Sequence, residues 1–138
     1  MKNILVITGL LICFLASGQN AKEEYNYSKR ISMGCKMVVK DNAFGILDKE
    51  GELILPLEYE DIDFFSNGYV IVRKNKKNGL FSLSDKKIII PIEYGDIEKL
   101  KKGKKGFRAY GRNYQVKEFS FEGKILKEYF SKCKYHNT

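Results

Sequence analysis

The chain is poor in the residues on which many catalytic and metal sites depend. Its 138 residues include one histidine, no tryptophan and two prolines. The histidine, His136, lies near the C-terminus, whereas a catalytic triad or a His-rich metal site needs imidazoles held on a rigid scaffold. Two prolines and twelve glycines exclude proline-rich and collagen-like chains. We therefore expect no metal site, no cofactor and no enzymatic activity.

The rest of the composition is that of one folded domain with a basic surface. Hydrophobic residues make up 43% of the chain and charged residues 30%, a balance typical of globular proteins. The length favours a single domain over two. The formal net charge is +8, which favours acidic partners.

Residues 1–18 have the pattern of a secretory signal peptide. Lys2 precedes an apolar run over 4–15, and the small residues 16–18 then place a cleavage site before Gln19. The run is shorter than the ~20 residues that span a bilayer, so a cleaved signal is favoured over an anchor, and no later run could span one. We expect a periplasmic or secreted protein. Lipidation of Cys13 is not expected, because Ile12 stands where a lipobox has a small residue.

Export changes the interpretation of the cysteines. Cys13 leaves with the signal, and Cys35 and Cys133 remain. Two cysteines in an exported protein favour one disulfide, with two free thiols as the alternative. A bridge needs Cα atoms within about 7 Å, so it would require the two ends of the domain to approach each other.

An internal repeat organises the chain. Residues 53–62 and 88–97 agree at six of ten positions, and three more exchange leucine for isoleucine, at an offset of 35. A third copy is fainter: Tyr129 continues the spacing, but the proline has become Leu126 and the glycine has become Tyr114. A degenerate terminal copy is expected where a unit has a neighbour on one side only.

These motifs resemble the WG-repeat family, whose unit opens with a Trp-Gly pair. The first copy contains Phe44-Gly45 and the second Asn78-Gly79, so the tryptophan is replaced in both. The likeness is close over about 32–107 and weak over 108–130. It implies a repeat fold without shared catalytic residues. The positions that carry it are Gly45, Gly79, Pro56, Pro91, Tyr59, Tyr94, Tyr129, Gly68 and Gly103.

The local pattern predicts an all-β fold. We expect an antiparallel meander of about three ~35-residue β-hairpin repeats, the last degenerate, in a domain over 31–138 that ends in a loose tail. Residues 19–30 are predicted to be mobile. Asn67-Gly68 and Asn78-Gly79 are typical of hairpin turns, and Pro56 and Pro91 are expected to end their strands.

The repeated Glu-Tyr pairs allow two interpretations. They could form a row of aromatic and carboxylate groups for a sugar or a peptide. We favour a structural role, in which each tyrosine packs under its own hairpin, because a feature of every unit more often serves the unit.

The densest charge cluster is basic and comprises Lys99, Lys101, Lys102, Lys104, Lys105 and Arg108. It is a candidate site for anionic glycans or lipid headgroups, and export makes nucleic acid a less favoured ligand. The alternative, which we favour, is that these lysines provide solubility and protect strand edges from aggregation.

Three functional hypotheses follow from the sequence. The leading one is an exported, non-catalytic interaction module that binds a protein or a component of the bacterial envelope. The second is an electrostatic binder of anionic polymer through residues 99–108. The third and least favoured is a hydrolase that uses the carboxylates of residues 58–63, although Asp61 and Asp96 are expected to bond backbone groups.

Overall fold

The structure, a computed structural model, describes residues 24–132 and confirms the all-β prediction. This part of the chain forms three four-stranded antiparallel sheets. The first sheet contains β1 (Tyr27–Arg30), β2 (Lys36–Lys40), β3 (Ala43–Leu47) and β4 (Leu53–Tyr59). The second contains β5 (Asp61–Ser66), β6 (Tyr69–Lys74), β7 (Lys77–Ser82) and β8 (Lys87–Tyr94). The third contains β9 (Asp96–Lys99), β10 (Phe107–Tyr110), β11 (Gln115–Phe119) and β12 (Ile125–Phe130), and short 3-10 turns lie at Ser32–Gly34 and Arg112–Tyr114.

The first sheet starts earlier than the sequence suggests. The domain is predicted to begin at residue 31, after a mobile segment, but Tyr27–Arg30 already pair with β2. All four residues of this strand are exposed, so the strand has no apolar pattern by which it could be recognised.

Each sheet passes to the next through a single residue. We call Glu60, between β4 and β5, the first crossing, and Gly95, between β8 and β9, the second crossing. The Asp61 carboxylate accepts the N–H of Ile62 at 2.9 Å, and Asp96 accepts that of Ile97 at the same distance. These bonds confirm the expectation that both aspartates bond the backbone.

The sheets pack face to face, and the middle sheet is buried on both sides. The interface between the first and second sheets is mainly aliphatic and contains Cys35, Ile46, Leu55, Tyr59, Ile62, Val70, Val72, Phe81 and Leu83. The interface between the second and third sheets is rich in aromatic rings and contains Leu80, Ile89, Ile90, Tyr94, Ile97, Phe107, Ala109 and Phe119, with Phe65, Tyr69 and Phe121 packed against it. We call these the first and second interfaces.

The outer face of the third sheet is charged where the equivalent face of the second sheet is apolar. Four directly opposed residues run across it in the order Glu98, Arg108, Glu118, Lys127. The equivalent row of the second sheet is Asp63, Ile71, Leu80, Ile90. Replacing the three apolar positions by alternating charges makes a polar cap, which a terminal unit of a stacked repeat requires.

The repeated glycine lies opposite a bulge that contains the repeated proline. Gly45 lies between Phe44, which pairs with Tyr59, and Ile46, which pairs with Leu55, so two extra residues of β4 face one position of β3. A Cβ on Gly45 would lie 2.8 Å from the Leu55 carbonyl oxygen. The glycine is therefore needed for close backbone approach.

The two prolines lie inside strands, which corrects the prediction that they end them. Pro56 belongs to β4 and Pro91 to β8, and both are exposed. Each strand is an edge strand of its sheet. A residue without an N–H is tolerated at an edge or a bulge, because no ladder hydrogen bond is lost there.

One predicted turn is also wrong. Asn67-Gly68 does connect β5 and β6, but Asn78-Gly79 lies within β7. The turn in that hairpin is formed by Asn75 and Lys76, both with positive φ. Gly79 is required for packing, since a Cβ there would lie 2.6 Å from Cγ1 of Ile92.

The third unit lacks the glycine bulge altogether. Lys117 pairs with Glu128 in a regular ladder, between Val116–Tyr129 and Glu118–Lys127. The register makes Lys117 the equivalent of Gly45 and Gly79, rather than Tyr114 as the sequence offset suggests. Glycine and proline are therefore lost together, as expected if the bulge needs both.

Candidate binding cleft and basic loop

The repeated tyrosines hold consecutive sheets together. Tyr59 is 7% exposed and Tyr94 3%, and each lies in the interface with the following sheet. The Tyr94 ring meets Phe119 of the third sheet edge-on, at a centroid distance of 5.9 Å. Burial is the main cause that raises the pKa of Tyr94 to about 12. The expectation that each tyrosine packs under its own hairpin is corrected, since it packs on the next unit.

Tyr129 marks the end of this series. No further sheet follows it in residues 24–132, and its ring is only half-buried. The ammonium of Lys127 lies 5.1 Å from the ring centroid, and the hydroxyl donates to Glu118 at 3.5 Å. The charged outer face thus replaces the missing neighbour.

Three carboxylates of the 58–63 cluster are engaged in structural contacts. Glu58 forms an ion pair with Lys74 at 3.1 Å. Glu60 accepts the backbone N–H groups of Asn75 at 2.7 Å and Lys76 at 3.2 Å, and so holds the β6–β7 turn. Asp61 bonds the following amide, as described above. The three members therefore bond different groups, which are an ammonium of β6, the amides of the β6–β7 turn and the next amide of β5.

Asp48 links the first two sheets by charge. One carboxylate oxygen accepts the N–H groups of Glu50 and Glu52, and the other accepts the Lys86 ammonium at 2.9 Å. The hydrogen bond from Lys86 is the largest cause that lowers the pKa of Asp48. The pair is not visible in the sequence, because the two residues lie in different turns of different sheets.

Only one of the two predicted disulfide partners, Cys35, lies in the described part of the chain. Cys35 is buried at 3% exposure in the first interface, and burial raises the pKa of its thiol. Cys133 lies outside the described residues, so the disulfide stays a prediction. Within residues 24–132, no group of three or more His, Cys, Asp or Glu side chains is placed to hold a metal ion.

The predicted basic cluster is divided in the structure. Residues 100–106 connect β9 and β10 and form what we call the lysine loop, with Gly103 at φ +90°. Within the described range, no ion pair involves the exposed lysines at this hairpin, which are Lys99, Lys101, Lys102, Lys104 and Lys105. The corresponding connections are residues 31–35 between β1 and β2 and Asn67-Gly68 between β5 and β6, so the loop is the longest of the three.

Arg108 does not belong to the lysine loop. It lies on the outer face of the third sheet, 3.0 Å from Glu98 and 2.8 Å from Glu118. The hydrogen bond to Glu118 is the main cause that raises the pKa of the guanidinium and lowers that of the carboxyl. Arg108 is therefore paired with two carboxylates, whereas the lysines of the loop form no ion pair within the described residues, although the charge of Lys104 also lowers the pKa of Glu118.

An open cleft of about 510 Å³ lies at the second crossing. Its walls come from the β6–β7 hairpin, the end of β8 and the β10–β11 turn. The lining residues are Lys74, Asn75, Lys77, Ile92, Glu93, Tyr94, Gly111, Arg112 and Gln115. Lys77, Arg112 and Glu93 form no ion pair within the described part of the chain, so the cleft presents separate positive and negative groups.

The first crossing has the same backbone path, but side chains occupy it. The Lys74 ammonium pairs with Glu58 and lies 5.7 Å from the Tyr59 ring centroid. The Glu60 carboxylate binds the amides of the adjacent turn. One ammonium and one carboxylate thus fill the first crossing.

Both of these side chains are replaced by glycine at the second crossing. The Glu60 N–H donates to the Arg73 carbonyl at 2.9 Å, and the Gly95 N–H donates to the Tyr110 carbonyl at 2.8 Å. Gly95 therefore corresponds to Glu60, and the residue after Tyr110, Gly111, corresponds to Lys74. The substitution at residue 95 is visible in the repeat alignment. The one at residue 111 is hidden, because the β10–β11 turn is longer.

Comparison with known proteins identifies the repeat. No curated protein matches the chain. No helix within residues 24–132 is both long and apolar enough to cross a membrane. The family model described as "WG containing repeat" matches residues 44–77, from the Phe44-Gly45 pair to the first residue of β7. Residues 44–77 are therefore similar to a WG-containing repeat, with Phe44 where that unit has its tryptophan.

Proposed function

We propose that the chain is a non-catalytic binding module of the bacterial envelope that acts after export. One observation carries the proposal. The repeated tyrosines and aspartates, Tyr59, Tyr94, Asp61 and Asp96, hold the fold, whereas the third unit departs from the repeat at exposed surface, in the lysine loop and at the second crossing. Features that serve a ligand rather than the fold are expected at such departures.

Support for export comes from the signal-peptide pattern of residues 1–18. The test is to express the full chain in a Gram-negative host and to measure the intact mass of the protein in each cell fraction. A periplasmic or secreted product that begins at Gln19 supports the proposal. A cytoplasmic product that still begins at Met1 would contradict it.

Support for a binding role over hydrolysis comes from the structural contacts of Glu58, Glu60 and Asp61. We expect no turnover of envelope glycans or peptides by the purified protein. A hydrolytic activity that is lost in Glu58→Gln or Asp61→Asn, while the fold is retained, would overturn the non-catalytic role.

A second candidate function is electrostatic binding of an anionic polymer through the lysine loop. The observation that favours it is the concentration of exposed lysines without an ion pair in the described residues, in a connection longer than those at the corresponding places of the other two sheets. Such a cluster attracts polyanions, and salt weakens the attraction because exposed charges are screened.

The experiment for this candidate compares two variants of equal net charge on a heparin column. The first replaces Lys101, Lys102, Lys104 and Lys105 with glutamine, and the second replaces four exposed lysines elsewhere, Lys29, Lys36, Lys87 and Lys124. The loop variant should elute at much lower salt than the control. Equal elution of the two variants would show that only net charge matters and would end this candidate.

A further inference from the structure

The second crossing has the carboxylate and the aromatic ring of the first crossing without an ammonium beside them, although the Glu93 carboxylate accepts a hydrogen bond from the Tyr94 hydroxyl. At the first crossing, Glu58 and the Tyr59 ring receive an ammonium from Lys74. At the second crossing, Glu93 and Tyr94 stand at the equivalent positions, and Gly111 supplies no ammonium. A carboxylate beside an aromatic ring is a favourable environment for an organic cation.

The anionic part of the first crossing is missing in the same way. Glu60 supplies a carboxylate there, and Gly95 supplies none. Lys77 and Arg112 line the cleft on different elements, and neither has an ion-pair partner in the described residues. Two cations that line one cleft suit a carboxylate, and the Arg112 guanidinium can bind it with two parallel hydrogen bonds.

We infer that the second crossing binds a ligand that carries both an ammonium group and a carboxylate group. The ammonium lies against Glu93 and the Tyr94 ring, and the carboxylate lies between Lys77 and Arg112. Ile92 contacts the aliphatic part between the two charges. The inference rests on the proposed binding function and gives it a chemical class of ligand, an amino acid or neighbouring basic and acidic side chains of a peptide.

The two glycines can accept the side chains that would fill the cleft. A Cβ on Gly95 would lie 3.6 Å from its nearest neighbour, the Tyr110 carbonyl oxygen. A Cβ on Gly111 would lie 3.4 Å from Oε1 of Gln115, at the end of a flexible side chain. Gly111 has φ −93°, which any L-residue adopts. The double variant Gly95→Glu with Gly111→Lys should therefore fold and supply the ammonium and carboxylate internally.

The test measures the affinity of the full chain for 6-aminohexanoate by titration. Hexanoate and hexylamine, which each carry one of the two charges, serve as matched ligands. We expect the affinity for each of them to be at least about tenfold lower than that for 6-aminohexanoate, because one charged hydrogen bond is lost. Glu93→Gln and Arg112→Gln should each weaken 6-aminohexanoate binding by about tenfold, and the filled double variant should not bind it.

Acetyl-Lys-Glu-amide distinguishes the two sources of the ligand. Binding of this dipeptide supports side chains of a peptide, and binding of 6-aminohexanoate alone supports a free amino acid. Equal binding of hexanoate and 6-aminohexanoate, or unchanged binding by Glu93→Gln and Arg112→Gln, would overturn the inference. Both single variants are at the surface, so the test holds even if the double variant fails to fold.

This outcome is separable from that of the proposed function. The lysine loop lies on the β9–β10 hairpin and contributes no residue to the cleft. Failure of 6-aminohexanoate binding with heparin retention intact would remove the cleft ligand alone.

Discussion

The two crossings are formed by equivalent segments of a repeat, yet one is filled and the other is open. Lys74 and Glu60 fill the first, whereas Gly111 and Gly95 leave a cleft of about 510 Å³ at the second. The interfaces beside them differ as well, since ring contacts occur between the second and third sheets and none is found among described residues of the first interface. The comparison shows how a stacked repeat can gain a ligand site by losing two side chains.

The largest effect should come from removing a central ring in each interface. Phe81 and Phe107 are both fully buried, but only Phe107 contacts other rings, with Tyr69 at 4.9 Å, Phe121 at 5.3 Å and Phe65 at 5.8 Å. Truncation of a buried phenylalanine to alanine costs about 3–5 kcal/mol, and each aromatic pair adds about 0.5–1.5 kcal/mol. Phe107→Ala should therefore destabilise more than Phe81→Ala.

Chemical denaturation of both variants measures this difference. The free energy of unfolding should be lower in Phe107→Ala than in Phe81→Ala by at least about 1 kcal/mol. Equal losses would show that the aromatic contacts of the second interface contribute no more than aliphatic packing.

A smaller loss of stability is expected when a methyl group is added at the glycine opposite the bulge. In Gly79→Ala, the new methyl group would meet Cγ1 of Ile92 and the Ile90 carbonyl oxygen at 2.6 and 2.8 Å, so β8 must shift. Overpacking of this kind costs about 1–3 kcal/mol.

The control for the bulge is Lys117→Ala, at the equivalent position of the third sheet, where the ladder is regular. Thermal unfolding should show a clear loss of stability for Gly79→Ala and little change for Lys117→Ala. A neutral Gly79→Ala would contradict the close packing of β7 against β8.

Removal of the carboxylate at the first crossing should cost less. Glu60→Ala loses the hydrogen bonds from the Asn75 and Lys76 amides, a contribution of about 1 kcal/mol on an exposed turn. Gly95→Ala provides the matched change at the second crossing. Hydrogen exchange of the two turn amides should accelerate in Glu60→Ala only. Acceleration in neither variant would contradict the role of Glu60 at the turn.

The smallest effect is a pH dependence at the first interface. The pKa of Asp48 is lowered in the folded state from its ordinary value of 3.8, chiefly by the hydrogen bond from Lys86. The ionised carboxylate therefore stabilises the fold above the unfolded pKa, and this stability is lost as the pH falls through the lower folded pKa. Asp48→Asn should flatten the stability profile below about pH 4. An unchanged acid profile would show that the Asp48–Lys86 pair does not contribute.

The repeat spacing predicts an antiparallel fold of about three hairpin repeats, but the four-stranded sheets and several roles within them are apparent only in the structure. Period and turn residues could not show that Pro56 sits inside an edge strand, since proline normally ends a strand. They also could not separate Gly79, which is needed for close approach, from a turn glycine. The tyrosine at each repeat was recognised as structural, but a periodic sequence does not say whether an inward residue packs on its own unit or on the next.

The cleft illustrates a different limit. Replacement of Glu60 by Gly95 can be read from the aligned repeats, but the match of Lys74 with Gly111 appears only from the strand register. Glu93, Lys77 and Arg112 look like ordinary surface charges in the sequence. Their meaning depends on which charges face them, and that depends on the packing of the second and third sheets.

The most direct test of the comparison is a residue-by-residue map of ligand binding in the unmodified full chain. Amide signals would be followed by nuclear magnetic resonance while 6-aminohexanoate is added. We predict saturable shifts at Glu93, Tyr94 and Arg112 and none at Glu58 or Tyr59, because Lys74 and Glu60 already fill the first crossing. Equal shifts at both crossings, or none at either, would contradict it.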